Sequence, residues 1–302
     1  MRPPADDGSL NSGFAYRERL NAAAGGRLLP DWLAERHAHS SAAVWRERAS
    51  AGEIEIDGRL AGPDERLAAG GVLVWRRPPW CEPAVPLAFA ILHRDPQLLA
   101  VAKPRGLPTL PNGGFLEHTL QHLVRRAHPE ASAAHRLGRG TSGLVLFART
   151  PEARRRLAAA WRQGRVEKEY LALVQGVPAS ALSIDAPIGR VPHPRLGLVH
   201  AASRDGRPSL SHVRLLQARD GRALCAVRIP TGRPHQIRIH LAVAGHPLVG
   251  DPLYVAGGVP GPDPGLPGDL GYHLHAWRLR LAHPASGRTL EIECTPPSEL
   301  RL

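Results

Sequence analysis

His135-Arg136-Leu137-Gly138-Arg139-Gly140-Thr141-Ser142-Gly143-Leu144 runs directly into Val145-Leu146-Phe147. The first part is a turn-rich loop and the second an apolar strand, so the loop is carried on the end of a strand. Its glycines let the backbone approach a ligand closely, and Thr141 and Ser142 bring two hydroxyls. Arg136 and Arg139 offer the forked donors that suit phosphate. The Gly-Lys-Ser/Thr ending of a nucleotide P-loop is missing, which disfavours triphosphate binding. On these residues alone the segment reads equally as a structural hairpin loop or as an anion-binding loop.

Around this loop short apolar strands dominate: 88–93, 98–102, 144–147, 170–175 and 225–229. Helices are fewer. One is expected over 116–126, with Leu116, Leu120, Leu123 and Val124 on one face. Another opens at Thr150-Pro151-Glu152, an N-cap followed by proline and an acid in the first turn. A third follows Arg233, with Ile237, Leu241 and Ala244 inward and Gly245 as its stop. The mixture predicts an α+β fold built on a mainly antiparallel mixed sheet. Ahead of it, Leu29, Trp32 and Leu33 stand at helical spacing, and Ser40 or Ser41 can cap a second helix through Val44 and Arg48. An alternating strand, Glu53 to Ile56, enters an Asp57-Gly58 turn, and Val72-Leu73-Val74-Trp75 is a further strand. Two helices and a small hairpin resemble the alpha-L RNA-binding module; the same pattern also fits a generic small α+β unit. The expected division is a flexible N-terminus over 1–26, the small RNA-binding domain over 27–77, a proline-rich linker over 78–86 and a catalytic domain over 87–302.

The formal net charge of +12 suits a polyanionic partner. Arginine carries nearly all of it, because Lys103 and Lys168 are the chain's only lysines. Compositional drift toward Arg, Ala, Gly and Pro would raise the charge as well. Aromatic residues make up 5% of the chain, too few for extended stacking on single strands. Three scattered cysteines, Cys81, Cys225 and Cys294, give no disulfide framework and no metal spacing, and fit a reducing cytoplasm. The N-terminus has Asp6 and Asp7 and no apolar block, unlike a secretory signal or transit peptide. No apolar run is long enough to span a bilayer.

The loop resembles the HRLD-R-x-TSG signature of the RluA-type pseudouridine synthases. Further stretches resemble that family in the same order: Val101-Ala102-Lys103-Pro104-Arg105-Gly106-Leu107, Val166-Glu167-Lys168-Glu169-Tyr170, and Asp185-Ala186-Pro187-Ile188-Gly189. Thr231-Gly232-Arg233-Pro234-His235-Gln236-Ile237-Arg238, Gly250-Asp251-Pro252-Leu253-Tyr254 and His275-Ala276-Trp277-Arg278-Leu279 complete the set. The resemblance implies isomerisation of a flipped-out uridine in rRNA or tRNA, with no metal or organic cofactor. It implies that Tyr170 stacks on the base and that Arg238 pairs with the loop carboxylate. Arg136, Arg139, Thr141, Lys103, Lys168, Arg233, His235 and Gln236 are then expected to contact RNA. The bland readings are that Tyr170 is core, that Arg238 pairs with any buried carboxylate, and that Asp251 holds a turn.

The departure lies at the family's aspartate position, which is Gly138. Glycine can be neither nucleophile nor base, and losing such a group costs on the order of 10⁶-fold in rate. Three readings stand: an active synthase in which another carboxylate or a water serves, a catalytically silent RNA-binding protein of the same fold, or an inactivated copy. A hydrolase exploiting the space at Gly138 is a further possibility. The first is the leading expectation because the tyrosine and arginine positions are filled. Glycine here is also expected to permit a positive φ.

Overall fold

The computed structural model describes residues 9–37 and 39–300. The chain divides into two compact units at Glu82/Pro83, inside the proline-rich segment.

The first unit contains β1 (Phe14–Arg19), α1 (Leu29–Arg36), α2 (Ala42–Ser50), β2 (Ile54–Ile56), β3 (Arg59–Leu60) and β4 (Val72–Arg77), with sheet order β1-β4-β2-β3. Ser41 caps α2 by accepting from the Val44 amide at 3.4 Å. Asp57 and Gly58 both have positive φ (49° and 83°), the backbone that a two-residue hairpin between β2 and β3 requires. Leu29, Leu33, Trp45, Ile54 and Leu73 form one core cluster. The Arg48 guanidinium lies over Trp45 and Trp75, at 4.5 and 4.6 Å from the ring centroids. The expectation of a flexible 1–26 segment fails for its described part. β1 pairs antiparallel with β4 along its whole length, and Tyr16 stacks on Trp75 at 5.1 Å. Its order comes from a partner more than fifty residues away and leaves no mark in a local pattern of mostly exposed residues.

The second unit continues with β5 (Ala90–Arg94), β6 (Leu98–Lys103), α3 (Leu120–Ala127), β7 (Ser132–Ala133), β8 (Ser142–Ala148), α4 (Pro151–Arg162) and β9 (Glu167–Gln175). There follow β10 (Ala181–Ile184), β11 (Ile188–His193), β12 (Gly197–Ala202), β13 (Ser211–Arg219), β14 (Arg222–Arg228), α5 (Gln236–Val243), β15 (Tyr254–Val255), β16 (Val259–Pro260), β17 (Leu274–Ala282) and β18 (Thr289–Glu293). The large sheet runs β10-β13-β14-β9-β17-β8-β6-β5, with β18 beside β17 and β7 beside β8. Its pairs are antiparallel except β8 with β17. The α+β architecture on a mainly antiparallel mixed sheet is therefore the observed one.

Alternation along the strands sorts the core onto two faces. Val101, Val145 and Phe147 pack with Leu120 and Val124 of α3, while Ala100, Leu144 and Leu146 pack with Ala153 and Leu157 of α4. Ile237 and Leu241 of α5 bury against Ala172, Val174 and Val227. Tyr170 packs against both the α3 cluster and the α5 cluster, which places it where those two meet. α3 begins at Leu120 rather than Leu116, because the Thr119 side chain accepts from the His122 amide and ends the preceding coil.

Candidate active site

The one parallel pair in the large sheet builds the site. β8 meets β17 only at His275↔Ser142 and Ala276↔Gly143. Because the two strands run the same way, the segments that enter them, Gly138–Thr141 and Gly271–His273, arrive side by side. Gly143 makes the approach possible: its φ is 110°, and a Cβ there would lie 2.3 Å from the Ala276 carbonyl oxygen. Ser142 Oγ and His275 Nδ1 brace the pair at 2.9 Å, and His275 Nε2 donates to the Cys294 carbonyl at 3.0 Å. On the other side of β17, Tyr170 of β9 stands opposite Ala276.

Gly138 is exposed at the mouth of this arrangement. Its φ is not positive, contrary to expectation, so the backbone there accepts any L residue. A Cβ at Gly138 would lie 3.2 Å from the Tyr272 hydroxyl and 3.7 Å from Thr141 Oγ1. No carboxylate oxygen among the described residues comes within 4 Å of that point. Thr141 Oγ1 and the Tyr272 hydroxyl are 3.3 Å apart, and the Thr141 amide closes the loop on the Gly138 carbonyl at 3.0 Å.

Arg238 does not wait for a carboxylate on the loop. Its Nε and Nη2 each donate at 2.7 Å to the two oxygens of Asp251, and Nη1 donates to the Pro267 carbonyl at 3.1 Å. Both side chains are almost wholly buried, at 2% and 1% exposure. Asp251 also accepts from the amides of Leu253 and Tyr254 at 2.9 and 3.1 Å, so it holds the turn and the arginine together. The implied pairing of Arg238 with residue 138 is thus replaced by a closed fork-to-fork pair. The guanidinium lies over the Tyr272 ring at 4.2 Å and the Tyr254 ring at 5.0 Å.

Several residues expected to contact RNA serve the scaffold instead. Lys103 is 1% exposed, and its ammonium donates to the carbonyls of Pro104, Leu107 and Arg139 at 2.9, 2.6 and 3.3 Å. Burial pushes it down to about 7. It ties the end of β6 to the loop because three carbonyls converge there and no solvent does. Gln236 is buried, donating to the Leu210 carbonyl and Ser211 Oγ and accepting from Thr231 Oγ1 and the Arg233 amide. His235 sits at φ 57° ahead of α5, with Nδ1 2.7 Å from the Tyr254 hydroxyl, and burial with Arg238 nearby lowers it to about 3. These two hold the start of α5.

Thr141 is buried as well, while the remaining expected contacts face outward to differing degrees. Arg136 is exposed. Arg139 donates to the Gly268 carbonyl at 2.9 Å and lies over Phe115. Arg233 donates to the Pro208 carbonyl at 3.3 Å. Lys168 shares a face of β9 with Tyr170 and is lowered by burial. Burial pushes Tyr170 up to about 12, so it stays a neutral phenol. His135, lowered to about 4 by burial and then by Lys168, accepts from the Leu146 amide at 3.0 Å and stacks on Trp161. Sequence reasoning missed Tyr272; the available signal was a second glycine, Gly140, in the same loop.

A cavity of about 580 Å³ is lined by Phe89, Ala102, Leu274, Cys294 and Tyr272 among others, and includes neither Gly138, Tyr170 nor Arg238. Among the described residues no group of three His, Cys, Asp or Glu side chains could hold a metal, and no helix is long and apolar enough to cross a membrane.

Comparison with known proteins gives this geometry a family. A model described as RNA pseudouridylate synthase matches residues 97–243. An RNA pseudouridine synthase of Synechocystis is 40% identical over 274 residues, spanning 89% of this chain and 94% of that protein. RNA pseudouridine synthase 5 of Arabidopsis thaliana is 36% identical, over 90% of this chain and 89% of its own. Ribosomal large subunit pseudouridine synthase D of Nitrosomonas europaea is 39% identical, over 72% and 64%. The solved structure of human RNA Pseudouridylate Synthase Domain Containing 4 superposes with a TM-score of 0.56 at 26% identity, over 70% of this chain and 90% of that one. Likeness at this level over nearly the whole length means that the chain belongs to the RluA-type RNA pseudouridine synthase family.

Proposed function

We propose that the protein isomerises uridine to pseudouridine in rRNA or tRNA in the cytoplasm. The observation that carries this is the preserved construction around Gly138. The loop, Tyr170 and the Arg238–Asp251 pair remain assembled at the β8/β17 junction although the loop lacks its carboxylate. The Arg238–Asp251 pair is buried and bidentate, so losing either partner would strand a charge.

Tyr170 offers its ring to a flipped base from β9, across β17 from the loop's strand, and the exposed Arg136 stands at the entrance for phosphate. Arg139, Arg233 and Lys168 add positive charge around it, in keeping with the net +12 of the chain. The first unit, with its two helices and small sheet, is read as an RNA-binding domain ahead of the catalytic one. Cys225 and Cys294, buried and outside any disulfide, fit a reducing compartment. A second reading, an RNA-binding protein without activity, is favoured by Gly138 alone.

The experiment is to map pseudouridines in rRNA and tRNA from cells with and without the gene. Loss of one or a few sites on deletion, restored by the wild-type gene, is expected. An unchanged map with undiminished RNA binding would favour the silent binder.

A further inference from the structure

Gly138 and Gly140 face the same side chain. A Cβ at Gly140 would lie 2.8, 2.9 and 3.0 Å from Cζ, Cε1 and the hydroxyl oxygen of Tyr272, and one at Gly138 would lie 3.2 Å from that oxygen. Neither glycine has a positive φ, so neither is needed for backbone freedom. Gly140 must be glycine because the ring is there. At Gly138 the phenol oxygen stands within the reach of the side chain that an aspartate would have carried.

We propose that Tyr272 is a catalytic residue of this protein, its hydroxyl acting in place of the missing carboxylate. The proposal rests on the uridine-isomerising reading above. Three features fix the phenol for that task. Thr141 Oγ1 stands 3.3 Å from the hydroxyl. The Arg238 guanidinium lies 4.2 Å from the ring centroid, where it stabilises negative charge developing on the ring. Asp251 and the Pro267 carbonyl hold that guanidinium, so it stays in place without a carboxylate at residue 138. Asp251 itself is not a substitute, because its oxygens are taken by Arg238 and two amides.

The chemistry closes on one residue. The Tyr272 hydroxyl can donate as well as accept, and it begins by giving its proton. Its proton moves to O2 of the uracil as the N1–C1′ bond breaks, and the bond's electron pair stays with the base. The phenolate left behind closes on C1′ through a new O–C1′ bond. After the base turns, C5 attacks C1′ and the O–C1′ pair returns to oxygen. The C5 proton then passes to the phenolate and regenerates the phenol, while water relays the O2 proton to N1. One proton is given and one recovered, and no oxidant or further reactant enters.

Tyr272→Phe tests this, because it keeps the ring, its packing against Gly140 and its contact with Arg238, and removes only the oxygen. The assay is tritium release from RNA carrying 5-tritiated uridine, prepared from cells lacking the protein, with RNA affinity and Tm measured in parallel. The expected result is a loss of on the order of 100-fold or more in release rate, with affinity and Tm held near wild type. A smaller loss in a variant that folds and binds overturns the proposal while leaving the isomerase reading intact. Wild-type protein that releases no tritium overturns both.

Discussion

Gly138 and Gly140 sit two residues apart yet answer to different constraints. At Gly140 the Tyr272 ring leaves no room for a Cβ, so Gly140→Ala is expected to cost about 1–3 kcal/mol by overpacking. In a Tyr272→Ala background the same change should cost almost nothing. Urea denaturation of the four proteins reads this coupling, and additive losses would contradict the contact. Gly138→Ala meets only two hydroxyls, at 3.2 and 3.7 Å, and is expected to fold with little loss. For the buried pair, Arg238→Ala should destabilise by about 3–5 kcal/mol because it strands the Asp251 carboxylate. The same denaturation assay checks it, and a loss under 1 kcal/mol would mean that the pair is not buried as described. At this scale the sequence singled out the loop, Tyr170 and Arg238 as candidates, since each lies in a motif. Lys103, His235 and Gln236 meet groups of the protein itself, which the sequence did not show because a polar residue in a motif looks the same whether it meets ligand or backbone carbonyls. Tyr272 escaped notice because its role depends on two glycines about 130 residues away.

The β8/β17 junction rests on two residue pairs, and Gly143 is what lets the strands meet. Any side chain at residue 143 collides with the Ala276 backbone and adopts an unfavourable φ of 110°. Gly143→Ala is therefore expected to abolish soluble, cooperatively folding protein, whereas Thr150→Ala, which removes the cap of α4, should cost about 1 kcal/mol. Circular dichroism melts distinguish the two, and a Gly143→Ala protein that melts like wild type would refute the junction. Helices with strong caps were legible: α4 begins at Pro151 as its Thr-Pro-Glu start requires, and α2 begins after Ser41. Strands whose pairing is distant were less so. β1 is mostly exposed and shows no strand signal apart from its pairing with β4, and β17 depends on β8, β9 and β18, which come from separate parts of the chain.

For the whole molecule, buried histidines set the response to acid. His135 and His235 are held at about 4 and about 3, below their ordinary 6.5. The unfolded chain takes up protons below 6.5 that the folded chain refuses, so stability present above that pH drains as the pH falls toward 4. Tm should decline steadily between pH 7 and pH 4.5, and a flat profile would place these rings in solvent. The core clusters of the two units share no residue among those described, so a chain starting at Pro83 is expected to fold alone and bind RNA more weakly. RNA affinity of the full chain should fall as salt rises, because arginine contacts release counterions.

The central claim is that a loop without a carboxylate still supports isomerisation, and tritium release by the purified wild-type protein tests it most directly. The C5 hydrogen must leave when C5 becomes the glycosidic carbon, so each turnover on 5-tritiated RNA from cells lacking the protein frees one label. The predicted result is release that rises to a plateau matching a fixed number of sites per RNA. Binding to the same RNA without any release would contradict the account.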